Sequence, residues 1–283
     1  MGIGVVGSGT FNVLKRNQQE IQRRAGRGIE ITMVADLDEA RARAVVGPDV
    51  QVVNDARKII ANPDIDIVIE LIGGYGIAKT LVLEAIAAGK HVVTANKALL
   101  AQSTGELAQA AEQAHVDLYF EAAVAGAIPV IRPLTQSLAG DTVLRVAGIV
   151  NGTTNYILSA MDDSGASYDS ALADASALGY AEADPTADVG GYDAAAKAAI
   201  LASIAFHTRV TADDVYREGM TKVSAADFES AKALGCTIKL LAICERLTTG
   251  KGKQRVSARV YPALVPLDQK APRIVALQAA GVV

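Results

Sequence analysis

The chain has 283 residues, of which 51% are hydrophobic and 4% aromatic, and its formal net charge is -4. This length suggests two domains with sizeable cores, and the acidic balance gives no electrostatic basis for binding nucleic acid. No segment approaches the roughly 20 apolar residues of a membrane-spanning helix, so we expect neither nucleic acid nor a membrane among the partners.

The first part of the chain alternates strand-like and helix-like segments. The predicted strands are apolar on both faces, as in a covered parallel sheet, and read "IGVV", "EITMVA", "DIVIEL", "HVVTA" and "DLYFEA". Helical patterns lie between them, such as "TLVLEAIAAG", which ends on Gly89. This alternation predicts an α/β domain with a doubly wound parallel sheet over residues 1–125.

The chain opens with the glycine-rich stretch "MGIGVVGSGTFNVLKRN", which has two interpretations. In one, Gly2, Gly4 and Gly7 form an ungapped G-x-G-x-x-G turn with no strand before it. In the other, "IGVV" is the first strand and Gly7-Ser8-Gly9 is the turn. Either interpretation predicts a glycine turn that opens a helix, whose N-terminus can hold a pyrophosphate.

Asp36 closes the second predicted strand. A carboxylate at this position can accept hydrogen bonds from the adenosine ribose and repel a 2′-phosphate. Because Leu37, not arginine, follows it, the sequence favours NAD without deciding between NAD and NADP. In an alternative interpretation, Asp36 is the N-cap of a helix that starts near Glu39.

After "AGAIPVIRPL" the pattern changes to that of an α+β domain, predicted over residues 126–283. "VLRVAGIV" and "QRVSARVYPAL" are predicted strands, and the predicted helices are 153–162, 167–178, 193–206 and 225–247. Cys236 and Cys244 fall in the last helical pattern, and we expect unpaired core thiols in a reducing compartment, the cytoplasm.

The stretch "GGYDAAAKAAILA", residues 190–202, predicts a helix that is small and apolar on every side and therefore buried. It nevertheless carries Asp193 and Lys197 on one face. They are either an ion pair on the helix surface or a catalytic pair facing a cleft.

Several separated motifs resemble those of the homoserine dehydrogenases. They are "ELIGGYGIAKTLVLEAIAAGKHVVTANKALLA", "FEAAVAGAIPVI", "GIVNGTTNYILS" and "GYAEADPTADVGGYDAAAKAAILA". The resemblance implies NAD(P)-dependent interconversion of L-homoserine and L-aspartate 4-semialdehyde, on the route to threonine, methionine and isoleucine. It also implies a homodimer in which a Rossmann domain is followed by a substrate-binding and dimerisation domain.

The resemblance further implies roles for individual residues. Lys197, Asp193 and Lys97 fall on catalytic positions, and Glu182 and Asp188 fall on the substrate pocket. The positions implied to bind the cofactor are Gly2, Gly4, Val5, Val6, Gly7, Gly9, Asp36, Gly73, Ala95 and Lys97. A sodium ion is implied at Glu121, Val124, Gly126 and Ile128, held largely by backbone carbonyls.

The chemistry of aldehyde reduction and of binding an amino-acid substrate requires the same residue types. Reducing an aldehyde requires an acid within hydrogen-bond reach of the oxygen, and a buried lysine can be tuned for that task. The α-ammonium of the substrate requires a carboxylate, for which Glu182 and Asp188 are the candidates. Lys97 follows a predicted strand at its carboxyl end, where ligands bind in open α/β sheets.

Both ends of the chain depart from the family pattern. The family has a full first strand, and after "VPLDQ" it continues into a strand and a loop that closes over the cofactor. This chain reads "KAPRIVALQAAGVV" instead. We therefore also expect, as an alternative, an impaired relative that folds and binds nucleotide without efficient turnover.

Overall fold

The computed structural model describes residues 1–248, 250 and 252–267. The chain divides into two compact units, Met1–Ala123 and a second unit that starts at Val124. In this part of the chain no helix is long and apolar enough to cross a membrane. The departure expected at residues 270–283 lies outside the described residues.

The first unit alternates helices and strands, as the sequence predicts. Its elements are α1 (Val5–Arg16), α2 (Gln18–Ala25), β1 (Met33–Ala35), α3 (Glu39–Val46), β2 (Gln51–Val53), α4 (Arg57–Ala61), β3 (Ile67–Glu70), α5 (Gly76–Ala87), β4 (His91–Thr94), α6 (Lys97–Ala114), β5 (Leu118–Tyr119) and a 3-10 turn (Glu121–Ala123).

All strand pairs in this unit are parallel among the described residues: β1 with β2, and β3 with β4 and β5. The first residues of the chain link the two groups. Gly2 N donates to Ala35 O at 2.9 Å, and Leu71 N donates to Met1 O at 2.9 Å. Met1 and Gly2 therefore lie between β1 and β3, at the centre of a Rossmann-type sheet, and the predicted fold class is confirmed.

The prediction of a strand over "IGVV" is wrong. Helix α1 already begins at Val5, and Ser8 N donates to Gly4 O at 2.9 Å, as in the first turn of a helix. The ungapped interpretation of the glycine turn is the one observed. Four apolar residues beside a turn do not distinguish a strand from the start of a helix.

The second unit combines helices with a largely antiparallel sheet. Its elements are a π-helical turn (Pro133–Ser137), β6 (Arg145–Gly148), α7 (Gly152–Ser164), α8 (Tyr168–Ala177), α9 (Thr186–Val189), α10 (Tyr192–Phe206), a 3-10 turn (Ala212–Asp214), β7 (Tyr216–Arg217), α11 (Ala225–Ala233), β8 (Cys236–Thr248) and β9 (Gln254–Pro266). The strand order is β6-β8-β9-β7, with β7 parallel to β9. This is the predicted α+β architecture.

Helix α10 packs against β8 and β9 in the main core of this unit. Its alanines allow close approach to the sheet, and Ala198, Ala199 and Ala202 are fully buried. Its N-cap, Gly191, has φ +77°, which favours glycine. The helix is thus buried, as its composition predicts.

The prediction of a single helix over residues 225–247 is wrong in its second half. Helix α11 ends at Ala233, Gly235 has φ +68°, and β8 starts at Cys236. Since β8 lies between β6 and β9 and is buried on both faces over most of its length, it lacks the period-2 pattern of a half-exposed strand. Cys236 and Cys244 are unpaired thiols, as predicted, but they lie on a strand.

Candidate functional site

Lys197 and Asp193 form a buried ion pair one turn apart on α10. Lys197 Nζ lies 2.7 Å from Asp193 Oδ2, and the two side chains are 16% and 4% exposed. The same ammonium donates to Val150 O at 2.6 Å. The interpretation as a surface pair is therefore wrong, because an exposed i,i+4 pair would be solvated on both sides.

A neighbouring amide extends this pair into a network. Asn151 Nδ2 donates to Asp193 Oδ2 at 2.8 Å and to Asp188 Oδ1 at 2.7 Å. Asn151 is the N-cap of α7, and Asp188 lies in α9. Three elements thus bring Asp188, Asp193 and Lys197 together, and we call these residues with Asn151 the lysine cluster. Sequence reasoning missed Asn151, although "VNGTT" at a predicted helix start is a capping signal.

Glu182 is placed outside the lysine cluster. It is exposed in the loop before α9, and its side chain makes no hydrogen bond or ion pair with the described residues. The loop is nevertheless fastened near the cluster, since Thr153 Oγ1 donates to Tyr180 O at 2.6 Å. Glu182 is therefore an exposed carboxylate without a bonded partner among the described residues, and it lies two residues after Tyr180, whose carbonyl is bonded to Thr153.

Tyr192 and Arg217 brace the turn that leads into α10. The Arg217 guanidinium lies 3.5 Å from the centroid of the Tyr192 ring, and its Nη1 donates to Gly190 O at 2.8 Å. Met220 N donates to Val189 O at 2.9 Å. These contacts hold the turn between Asp188 and Asp193 in place.

In the first unit, the glycine turn is shaped by close backbone contacts. A Cβ on Gly7 would lie 2.2 Å from Gly2 O, and one on Gly2 would lie 2.6 Å from Leu71 O, so both positions require glycine. Gly4 and Gly9 meet nothing within 4 Å.

The start of α1 presents an uncapped helix N-terminus. Its N-cap, Gly4, offers no side-chain hydrogen bond, and the amides of Val5, Val6 and Gly7 have no partner among the described residues. Val5 is 93% exposed. Such an N-terminus can take a phosphate group.

Asp36 lies beside this turn at the end of β1. Its Oδ2 accepts from Ile3 N at 2.8 Å, and its Oδ1 accepts from Asp38 N at 3.0 Å and Arg41 Nη2 at 3.1 Å. Partial burial would raise the pKa of Asp36, but the two amides and the guanidinium outweigh it and hold the pKa below its usual value. The N-cap of α3 is Asp38, so the capping interpretation of Asp36 is wrong.

A buried network forms the carboxyl edge of β3 and β4. Glu70, fully buried, accepts from Ile72 N at 2.8 Å and Gly73 N at 3.2 Å with Oε1, and from Thr94 Oγ1 at 2.6 Å with Oε2. Asn96, the N-cap of α6, donates from Nδ2 to Gly74 O at 2.7 Å. Sequence reasoning missed Glu70, which it treated as part of an apolar strand.

This network organises the remaining positions expected at the cofactor. Gly73 lies in the turn held by Glu70 and has φ +81°. Ala95 follows β4, and its carbonyl accepts from Lys97 N at 3.0 Å. Lys97 is the first residue of α6 and is exposed.

Of the positions expected to hold sodium, Glu121 belongs to the first unit, and Val124, Gly126 and Ile128 belong to the second. Glu121 is in the 3-10 turn that ends the first unit. Further along, Ala125 and Ala127 have φ 53° and 66°, and Ile128 N donates to Ala125 O at 2.8 Å. Carbonyl oxygens are suitable ligands for a hard cation.

Models of two protein domains match the chain. The model described as "Homoserine dehydrogenase" matches residues 129–279, and "Homoserine dehydrogenase, NAD binding domain" matches residues 2–121. Curated homoserine dehydrogenases from Mycobacterium tuberculosis and Corynebacterium glutamicum are 68% and 57% identical over 268 residues. Each alignment covers 95% of this chain and 60% of the relative, so the chain spans about 60% of the length of these relatives.

Solved structures show the same fold. A homoserine dehydrogenase from Thiobacillus denitrificans has a TM-score of 0.88 at 46% identity, covering 94% of this chain and 60% of that one. The enzyme from Staphylococcus aureus has a TM-score of 0.79 at 35% identity, covering 94% and 64%. A hyperthermophilic archaeal homoserine dehydrogenase in complex with NADPH shares the fold with a TM-score of 0.72 at 23% identity, covering 97% and 82%.

Proposed function

The chain belongs to the homoserine dehydrogenase family, and we propose that it interconverts L-homoserine and L-aspartate 4-semialdehyde with NAD or NADP. The reaction lies on the route to threonine, methionine and isoleucine. The observation that carries the proposal is the buried Lys197–Asp193 pair on an otherwise apolar helix. No comparison favours the alternative of an impaired relative.

In the proposed mechanism, Lys197 transfers the proton. Two of its N–H bonds point to Val150 O and Asp193 Oδ2, and we assign the third position on the nitrogen to the substrate oxygen. During alcohol oxidation, the neutral amine takes the hydroxyl proton as the carbon loses hydride and the C–O bond becomes a carbonyl. During aldehyde reduction, the ammonium returns that proton to the oxygen. Asp193 orients the amine through the 2.7 Å contact between its Oδ2 and Lys197 Nζ.

The bound coenzyme supplies or accepts the hydride. Its site fits the residues of the first unit, because Gly2 and Gly7 leave no room for a Cβ and the first amides of α1 are uncapped. The turn held by Glu70, with Gly73, Ala95 and Lys97, forms the edge where ligands of open α/β sheets bind.

Asp36 and its partner Arg41 favour different coenzymes. A carboxylate favours the ribose hydroxyls of NAD, while a nearby arginine can accommodate the 2′-phosphate of NADP. Arg41, paired with Asp36, is 55% exposed at its side chain. We therefore propose that the chain uses both coenzymes.

Substrate recognition is assigned to carboxylates. Asp188 is half-buried and bonded to Asn151, and Glu182 is exposed and unengaged. Either charge can pair with the α-ammonium of homoserine. We assign the main role to Glu182, since its charge is not already used by a neighbouring group.

Three further proposals follow from family membership. They are a homodimer, a cytoplasmic location, and a sodium ion held by the carbonyls at Glu121, Val124, Gly126 and Ile128. Light scattering, cell fractionation and titration of activity with sodium salts test them separately.

The principal test is Lys197→Ala. We expect kcat for homoserine oxidation to fall by about 10²–10⁴-fold, the range of general acid–base catalysis. Affinity for NADPH, measured by fluorescence titration, should change by no more than a few fold because the coenzyme residues lie in the other unit. Lys222→Ala, at an exposed position, is the matched control and should keep normal rates. A Lys197→Ala variant that retains more than about a third of wild-type kcat would show that the proton is transferred elsewhere.

A further inference from the structure

We propose that Asn151 is a positioning residue whose side-chain amide holds Asp188 and Asp193 together and so fixes the carboxylate that faces Lys197. The inference rests on the proposed function of Lys197. The proposal concerns the side-chain NH₂ group of Asn151, because the helix cap uses only the side-chain oxygen.

The orientation of the Asn151 amide follows from its hydrogen bonds. Oδ1 accepts from Thr154 N at 2.9 Å and from Thr154 Oγ1 at 3.0 Å. With the oxygen committed to the first turn of α7, both protons of Nδ2 face the carboxylates of Asp188 and Asp193. Two donor protons thus serve two acidic side chains, which no other neutral side chain of this size can do.

The segment before α7 holds both members of the ion pair. Val150 contributes its carbonyl to Lys197, and Asn151 contributes its amide to Asp193. Asn151 is 6% exposed, so water does not replace these bonds at low cost. The segment before α7 therefore supplies one neutral group to each member of the pair.

The charge balance explains why the donor should be neutral. Asp188 and Asp193 are like charges that meet at one amide, while only Asp193 is paired with the Lys197 ammonium. The donors that Asn151 shares between them offset their repulsion. Arg217 does not compensate them, since it binds Gly190 O and stacks on Tyr192.

Charged residues on the other elements packed on α10 bond to groups outside the lysine cluster. β8 and β9 contribute mainly apolar groups and the Cys244 thiol, whose pKa burial raises to about 12, so that it stays neutral. Charged residues of these strands bond elsewhere: Glu245 pairs with Arg145 and Arg259, Lys239 donates to Ser159, and Arg246 donates to Phe206 O at the end of α10. Asp214, in the 3-10 turn, bonds to Thr211, and the π-helical turn has no ionisable residue. Among the described residues, the charged groups joined to Asn151 directly or through Asp193 are therefore Asp188, Asp193 and Lys197.

Two substitutions at residue 151 distinguish a capping role from a positioning role, because both keep an N-cap on α7. Asp and Ser both serve as N-caps, so Asn151→Asp and Asn151→Ser preserve the acceptor for Thr154. Asn151→Asp replaces both donors with a third carboxylate, and Asn151→Ser removes the NH₂ group without adding charge. If Asn151 only capped α7, both variants would keep wild-type kinetics.

We expect kcat/KM for homoserine to fall about 10- to 100-fold in both variants, the scale of a displacement of about 1 Å. The KM for the coenzyme should stay unchanged. In Asn151→Asp, the rise of homoserine oxidation with pH should move to higher pH, because an added negative charge holds the lysine proton more tightly. Ser167→Ala, which removes the N-cap of α8, is the control and should leave the kinetics unchanged.

A second measurement does not depend on turnover. In Asn151→Asp, the carboxylates of Asp188 and Asp193 should raise the pKa of the carboxyl at residue 151 in the folded protein above its unfolded value. The folded state then binds more protons than the unfolded state, so the free energy of unfolding decreases as pH rises. The urea midpoint of Asn151→Asp, relative to wild type, should therefore be lower at about pH 8 than at about pH 5. A capping carboxylate predicts the opposite sign, since its ionised form suits a helix N-terminus.

The outcomes are distinct from those of the proposed function. A chain without homoserine turnover, or with an active Lys197→Ala variant, contradicts the proposed function, and the urea midpoints still decide the role of residue 151. Wild-type kinetics in Asn151→Asp, or a midpoint that rises with pH, overturns the positioning role.

Discussion

Glu70 in the first unit and Asp193 in the second are both buried carboxylates, 0% and 6% exposed, but their partners differ in kind. Glu70 accepts hydrogen bonds from two backbone amides and a hydroxyl. Asp193 accepts from an ammonium and a side-chain amide. The first arrangement fixes the backbone at the carboxyl edge of a sheet. The second holds a group that can gain or lose a proton.

This difference in partners corresponds to the different functions that we propose for the two units. In the proposed function, the coenzyme positions of the first unit are formed mainly by backbone groups: uncapped amides, glycine contacts and strand ends. The proposed catalytic group of the second unit is held by side chains from three elements around one lysine. Changes in the first unit should therefore alter coenzyme binding, and changes in the second should alter turnover or substrate binding.

The largest effect expected from this comparison is that of Glu70→Ala. Thr94, 1% exposed, loses the acceptor of its hydroxyl, and a buried donor left without a partner costs about 1–3 kcal/mol. Ile72 N and Gly73 N also lose their acceptor, but these residues are exposed and water can replace it at lower cost. We expect the free energy of unfolding to fall by at least about 2 kcal/mol in urea denaturation. The coenzyme KM should rise, with kcat at saturating coenzyme much less affected.

Glu84→Ala is the matched control for Glu70→Ala. Glu84 pairs with Arg57 at 2.9 Å near the surface, and its side chain is 36% exposed, so its loss should cost less than about 1 kcal/mol. A Glu70→Ala variant as stable as this control would contradict the view that one buried carboxylate organises the edge.

A smaller effect is expected from Glu182→Gln, which removes a charge but keeps the shape. The KM for homoserine should rise about 10-fold, because a charge-assisted bond to the α-ammonium becomes a neutral one. Steady-state kinetics with Glu229→Gln as an exposed control measure this change. An unchanged KM would assign the ammonium to Asp188, inside the lysine cluster.

The smallest effect is expected from Arg41→Ala. We expect kcat/KM with NADP to fall several-fold, with NAD changed less, because only NADP carries the 2′-phosphate that an arginine can bind. Both coenzymes should be assayed side by side, with Arg24→Ala as a control for loss of an exposed arginine. Equal losses with both coenzymes would show that Arg41 acts only by holding Asp36.

Sequence reasoning found most elements but misplaced those whose pattern was ambiguous. The segment after Gly235 contains Leu, Ala, Glu and Lys, which suit a helix, yet neighbouring strands make it the central strand β8. "IGVV" has a strand-like composition, yet Met1 and Gly2 already occupy the sheet position between β1 and β3, and α1 begins at Val5. In both cases tertiary contacts overrode local preference.

The sequence by itself determined the family, the two-part architecture, the glycine turn and the burial of α10, since each is encoded in local motifs and periodicity. It also indicated the Lys197–Asp193 pair, because residues four apart share a helix face. Only the tertiary structure decided that the pair is buried, that Asn151 joins it to Asp188, and that Glu70 holds the Gly73 turn. These contacts join residues as far as 42 positions apart. A local sequence pattern does not indicate which distant donors will bond to a buried carboxylate.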